Sequence, residues 1–552
     1  MNIWAQPLEP IHPIALSALA AAVPLALLLV LMGGLRKSGS VSAAWGLGSA
    51  FLIAVLIWGM PVRLALSSAA YGIVYGLWPI MWIVFTALWL YNLSVDTGNF
   101  ELLRRWMAEH ASGDMRIQAV LVAFCFGALL EGTAGFGTPV AVAAYLLLGL
   151  GFSARQAVTV SLIANTAPVA FGALGIPIVA LAGVTGLDQA KLSAMVGRQL
   201  PFLSLVLPSY LILVVSGRKG LRETWPAALA SGATFALVQF LVSNFSGPYA
   251  ADILAALAST VALVLFLRVW RPRGTKLGTS SSGRFSGDPD VEQSEDVQSR
   301  KGTPERKGLS RSGALAAWAP WILLSAVMVV WSYFKFFQVA QILVPVPGLH
   351  NKIFITLYQK SYAAIYLFQP LAAGTAALCA TLLTALTFAS PPKTVLSSGL
   401  KTLRQLLMPG LTVGLIVALA YLYNYSGMAY TLGAALAKLG HFFPLASGFL
   451  GWVACFLSGS DTASNLLFGN LQVAAAHQIG VSPVLLAATN SSGAVTGKMI
   501  SPQNIAVGVT TVGLIGQEGN VLRSTFWHSI LLAAGLSLLA FAQAYWVNWM
   551  VP

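Results

Sequence analysis

Long apolar runs broken by short polar loops make up most of the chain. Runs at roughly 14–33, 41–60, 71–94, 199–216, 224–243, 251–267, 315–334, 362–388, 406–425 and 525–549 each come near the ~20 residues a helix needs to cross a bilayer core. Each predicts a membrane helix. The first run, Ile14–Met32, has no Lys or Arg ahead of it and no small-residue cleavage pattern behind it, so a retained helix is expected rather than a cleaved leader. Two further stretches, 117–187 and 441–516, are apolar but carry acids, glycine clusters and prolines. Irregular backbone at membrane depth is tolerated only where protein or a water-filled cavity covers it. These stretches are therefore read as broken segments around a site.

Composition agrees with the pattern. The chain has 552 residues, 57% hydrophobic and 9% charged, with a mean hydropathy of +0.78. A soluble protein carries roughly 25% charged residues. The expected class is an all-α, multi-pass protein of the bacterial plasma membrane, with the lipid bilayer as its surroundings. The net charge of +14 lies mostly in short loops, which speaks for membrane topology and against a nucleic-acid partner. The richer basic loops hold Arg36 and Lys37, Arg104 and Arg105, Arg218 and Lys219, and Lys393, Lys401 and Arg404. They are assigned to the cytoplasm. Alternation then requires 117–150 and 441–480 to be re-entrant hairpins, while 156–187 and 481–516 each cross once with a break. That makes about 12 crossings plus two hairpins.

The polar stretch 268–312 has almost no large apolar side chains and is expected to be a disordered cytoplasmic linker. The three cysteines all lie in apolar runs, so no disulfide framework is implied. No paired intramembrane His, Cys cluster, phosphate-loop pattern or nucleophile–base constellation is evident. No enzyme activity, metal or cofactor is expected.

The first broken stretch recurs in the second half. Glu131, Asn165, Gly172 and Pro177 are matched by Asp461, Asn490, Gly497 and Pro502, in the same order. The repeat divides the chain into a first unit at 1–216, two connecting spans at 217–267, the linker, and a second unit at 313–552. Loop charges give the two units opposite orientation. That is the pattern of an inverted-repeat secondary transporter, with its site near the midplane.

The breaks have chemistry of their own. Gly135 and Gly137 allow a tight turn, and a helix restarting at Thr138-Pro139 leaves free N–H groups that favour an anion. Asn165-Thr166 and Asn490-Ser491-Ser492 are placed at the breaks of the crossing segments, where they offer amide and hydroxyl groups. Lys498, costly inside an apolar crossing, is expected to meet a carboxylate, either from the substrate or from Asp461. Together these residues suit a small organic anion. Glu131 and Asp461 admit three uses: capping free N–H groups, carrying a coupled proton, or coordinating sodium.

The stretches CFGALLEGTAGFGTPVA, NTAPVAFGALGIPI, MVGRQLPF, NYSGM, GSDTASN and GAVTGKMISPQNIA resemble signatures of the bacterial lactate permease family, and the similarity runs over nearly the whole chain. The resemblance implies proton-coupled import of L-lactate, with D-lactate and glycolate as further substrates and a proton as coupling ion. It also implies two hairpin-bearing repeats, a core that moves against a scaffold like an elevator, and compatibility with a homodimer. Glu131, Asn165, Asp461, Asn490 and Lys498 match its motif positions. The alternatives are a sodium-coupled carboxylate carrier and a passive organic-anion channel.

Overall fold

The computed structural model describes residues 3–35, 37–110, 114–135, 137–270 and 311–552. It is a helical bundle with two small β sheets among the described residues. Ten of the described helical stretches are long and apolar enough to cross a membrane, or eleven if the bent pair Ala154–Ala164 and Val169–Thr185 counts as one span. About 12 crossings were expected, and the differences have local causes. The runs at 199–216 and 224–243 form one path, Leu200–Phe245, turned at Gly217 where φ is 67°. The run at 71–94 belongs to a longer path, Val62–Asp96, interrupted at Trp78-Pro79. Proline has no N–H for the helical ladder, so the ladder breaks there.

The run at 362–388 is helical only over Ala373–Thr387. Ahead of it, Ile365–Phe368 pairs antiparallel with Ile342–Pro345. Ile353–Ile355 pairs with both Trp4–Ala5 and Lys360–Ser361. These two small sheets are local additions to a fold that is helical, as expected. The connection between two helices there needs backbone partners, and strand pairing supplies them. Residues 271–310, most of the expected linker, lie outside the described residues.

Two modules carry the irregular backbone. In the first, a helical arm over Met115–Thr133 turns through Gly135 and Gly137 into Thr138–Gly149. Buried positions make up 94% of the first arm's apolar window, against 28% in Gly39–Leu56, so this arm is covered by protein rather than lipid. Ser153 then caps Ala154–Ala164, with Gln156 closing the capping box. The chain breaks and resumes over Val169–Phe171 and Gly172–Thr185, bent by 66°.

The second module lies in the other half of the chain. Phe443–Ser458 turns at Gly459 into Asp461–Ile479, followed by Pro483–Lys498 and Pro502–Thr511. Here the helices approach closely. A Cβ on Gly493 would lie 2.0 Å from the Gly448 carbonyl oxygen, and one on Gly451 would lie 2.0 Å from that of Asn490. Small residues permit this contact, as in many membrane helix pairs. Helices Ile14–Leu29, Gly39–Leu56, Val62–Tyr75, Trp82–Asp96, Ala373–Thr387 and Pro392–Ser426 pack on one another beside the modules.

Candidate functional site

The two modules meet at Glu131. It lies in the last turn of the first hairpin arm and is 3% exposed. Lys498 donates from Nζ to Glu131 Oε1 at 2.7 Å, and Asn165 donates from Nδ2 to Oε2 at 2.9 Å. The sequence offered the substrate or Asp461 as the partner of Lys498. The partner in the structure is Glu131, from the other module. Lys498 is the last residue of its helix, where free carbonyls favour a cation.

The first break makes room for this pair. Ala173, Leu174 and Gly175 all have positive φ, at 43°, 59° and 72°. Side-chain-bearing residues in that region are strained by roughly 1–3 kcal/mol each, and such strain is held where the surrounding structure requires it. Gly172 sits directly against the acid, and a Cβ there would be 2.6 Å from Glu131 Oε1. Glycine thus serves the close approach of Glu131 rather than an unusual φ, which is −61°.

Asp461 opens the second arm of the second hairpin, just after the N-cap Ser460. Its Oδ2 accepts from Ser491 Oγ at 2.8 Å. Among the described residues, its Oδ1 has no hydrogen-bond partner. The residue is 2% exposed.

The second break does not fall at Asn490-Ser491-Ser492. These residues are inside the continuous helix Pro483–Lys498, and the break is at Met499–Ser501. Pro502 and the N-cap Ser501 place it, because a proline at the start of a helix leaves no i−4 hydrogen bond unmade. Asn490 is committed internally. It donates to Asn465 Oδ1 at 3.0 Å and to Ser464 Oγ at 3.3 Å, and it accepts from Gln472 Nε2 at 3.2 Å.

A cavity of about 430 Å³ lies between the modules and the neighbouring helices. Glu131, Gly135, Gly137, Asp461 and Lys498 line it. Thr138, Asn165, Thr166, Asn490, Ser491 and Ser492 are not in its lining. Asn165 and Ser491 act from behind the wall, each through a hydrogen bond to one of the two acids. Thr166 donates to the carbonyl of Ile163. The opposite wall is largely apolar, with Met32, Ile80, Val84, Val413 and Ile416. Ser38 and Met408, both exposed, stand at its rim.

Sequence reasoning missed several polar groups. Ser460, Gln503 and Asn504 line the cavity. Asn504 ties the second break to the second hairpin tip, donating to the Gly459 carbonyl at 3.1 Å. Polar residues directly after Pro502 were the available signal, the same logic applied at Thr138. Asp252 was also passed over, inside what read as a plain span. It is 1% exposed and accepts from Gln239 Nε2 at 3.1 Å. It packs beside the hairpin, since a Cβ on Gly132 would lie 3.2 Å from the Asp252 Cβ. An acid in an apolar span was itself a sufficient flag.

The L-lactate permease family model matches residues 17–547. The L-lactate permease of Escherichia coli strain K12 is 41% identical over 567 aligned positions, covering 100% of each chain. The glycolate permease of that strain is 42% identical, covering 99% of each. Among solved structures, the YdaH transporter of Alcanivorax borkumensis aligns over 98% of this chain and 99% of its own, at 12% identity and a TM-score of 0.44.

Proposed function

The chain belongs to the L-lactate permease family, and on that premise we propose that it imports L-lactate, and also D-lactate and glycolate, by symport with a proton. The observation that carries the coupling is the Lys498–Glu131 pair in the cavity wall. The substrate brings a carboxylate of its own, and Lys498 is the cation of the pair that it can take. Glu131 is then parted from its cation in a buried wall, where a carboxyl favours its neutral form. Asn165 still holds Oε2. The occupied site contains one anion and one added proton, so its net charge equals that of the empty site. Departure of the substrate lets Lys498 and Glu131 pair again, and the proton leaves with it.

The rest of the cavity suits this cargo. Its apolar wall of Ile80, Val84, Val413 and Ile416 can take the methyl group of lactate, and glycolate fits with space to spare. The loop charges make the rim at Ser38 cytoplasmic, so the structure is read as facing inward. Alternating access follows if the two modules, as inverted repeats, move together against the neighbouring helices.

The test is uptake of labelled L-lactate into proteoliposomes, with proton and sodium gradients imposed separately. The expected result is concentrative uptake that follows the proton gradient, persists without sodium and collapses with a protonophore. Uptake that needs sodium and ignores the proton gradient would overturn the coupling. Uptake that never exceeds equilibrium would show a passive channel.

A further inference from the structure

We propose that the cavity also binds monocarboxylates with longer apolar chains from the cytoplasmic side, and that these acids hold the transporter still instead of crossing with it. The inference rests on the reading of this cavity as an inward-facing carboxylate site between moving modules and a fixed wall. It names a class of ligand, and a way of stopping transport, that this reading leaves out.

The two sides of the cavity differ in kind. Its charged lining residues, Glu131, Asp461 and Lys498, all belong to the two modules. Apart from the hydroxyl groups of Ser38, Ser40 and Thr412, the neighbouring helices contribute an apolar lining that includes Met32, Met408 and Ile416. A ligand that spans the cavity therefore meets a cation on one body and hydrocarbon on the other. The volume allows such a ligand. About 430 Å³ falls within the roughly 300–1,000 Å³ of pockets that enclose drug-sized molecules, whereas lactate is a three-carbon acid. With its carboxylate at Lys498, lactate fills only a small part of this space. Met32 and Met408 stand in the remaining wall, and unbranched thioether side chains adapt to ligands of varied shape.

The energetics give the consequence. Each buried methylene contributes ~0.8 kcal/mol, which is roughly fourfold in affinity. Three added methylenes, as in 2-hydroxyhexanoate, give a gain of up to about sixtyfold over lactate. The neighbouring helices supply that gain, so it exists only while the modules stand beside them as they do in this structure. A ligand shifts a conformational equilibrium by its difference in affinity for the two states. The long chain thus favours the inward-facing state by the same factor, and opposes the movement that would carry it across. Lactate has a single methyl group to withdraw from the wall and leaves it at little cost.

The experiment uses the purified full chain. Binding of L-lactate, 2-hydroxybutyrate and 2-hydroxyhexanoate is measured, a series that keeps the head group and lengthens the chain. Exchange of labelled lactate and of labelled 2-hydroxyhexanoate is measured in proteoliposomes against protein-free vesicles. Affinity should rise by roughly fourfold per methylene. 2-Hydroxyhexanoate should block lactate exchange at the concentration at which it binds, while its own exchange stays at the protein-free level. Met408→Gln keeps the length of the side chain and removes its apolar character. It should weaken binding of 2-hydroxyhexanoate several-fold and leave lactate binding unchanged. Equal affinity along the series in the wild type would overturn the inference, and so would carriage of 2-hydroxyhexanoate at the rate of lactate. Equal loss of both ligands in Met408→Gln would also overturn it. Failure of the wild type to bind lactate would instead overturn the carboxylate-site reading itself.

Discussion

Glu131 and Lys498 lie 367 positions apart in the chain and meet at 2.7 Å, one from each module. The pair is nearly dry, with side-chain exposures of 4% and 8%. Removing two charges from water is expensive, and their attraction offsets this only with good geometry and further hydrogen bonds. Asn165 supplies one of these. A buried pair is weak evidence for added stability. In a cavity wall it is a contact that a second anion can take apart.

Glu131→Gln removes the proton-accepting group and keeps the shape. Labelled lactate should still exchange across proteoliposome membranes at equal concentration. Accumulation driven by a proton gradient should fall to equilibrium. Equal loss of exchange and accumulation, with poor folded yield, would favour a capping role for the acid.

Lys498→Ala should weaken lactate binding by roughly tenfold or more, the scale of hydrogen bonds to charged groups. It also leaves Glu131 buried without its cation, and breaking such a pair typically costs about 3–5 kcal/mol. A lower unfolding temperature in detergent is expected. The double variant with Glu131→Gln should regain most of that stability but not lactate binding.

Gly172→Ala is permitted by the backbone but puts a methyl group 2.6 Å from Glu131 Oε1. The carboxylate must shift away from Lys498. Gradient-driven accumulation should fall several-fold with folded yield retained. Gly493→Ala makes a contrast, because its Cβ meets backbone, the Gly448 carbonyl oxygen, at 2.0 Å. Backbone cannot swing aside as a side chain can, so reduced folded yield and thermal stability are expected there. Size-exclusion profiles and thermal scans of the two variants check this pairing.

Two side chains of the neighbouring helix Pro392–Ser426 hold the end of Gly172–Thr185. Tyr421 donates to the Gly183 carbonyl at 3.1 Å, and Asn424 donates to that of Val184 at 2.9 Å. If the modules move, these bonds must break. Removing both by Tyr421→Phe with Asn424→Leu should shift the conformer ratio by about 2–10-fold per bond, from roughly 0.5–1.5 kcal/mol each. A cysteine introduced at Ser460 reports the shift through its labelling by an impermeant thiol reagent on each side. Unchanged labelling would argue against these bonds holding the observed state.

The sequence by itself determined the membrane class, the approximate helices and the two broken stretches. Those properties are local. Apolar run length sets a span, and glycine and proline break a helix wherever they occur. The matched acids and asparagines were visible for the same reason. Local chemistry also misled at one point, because Asn490-Ser491-Ser492 read as a break but a helix accommodates these residues when their side chains find partners. The pairing around Ile353–Ile355 was equally hidden, since it joins Trp4 to Ile353, 349 positions apart in the chain. Only the tertiary structure decided that Lys498 answers Glu131 rather than Asp461, and that Asp461 is met by Ser491 instead. Which charges meet depends on where two distant helix ends are brought together, and no spacing along the chain encodes that distance.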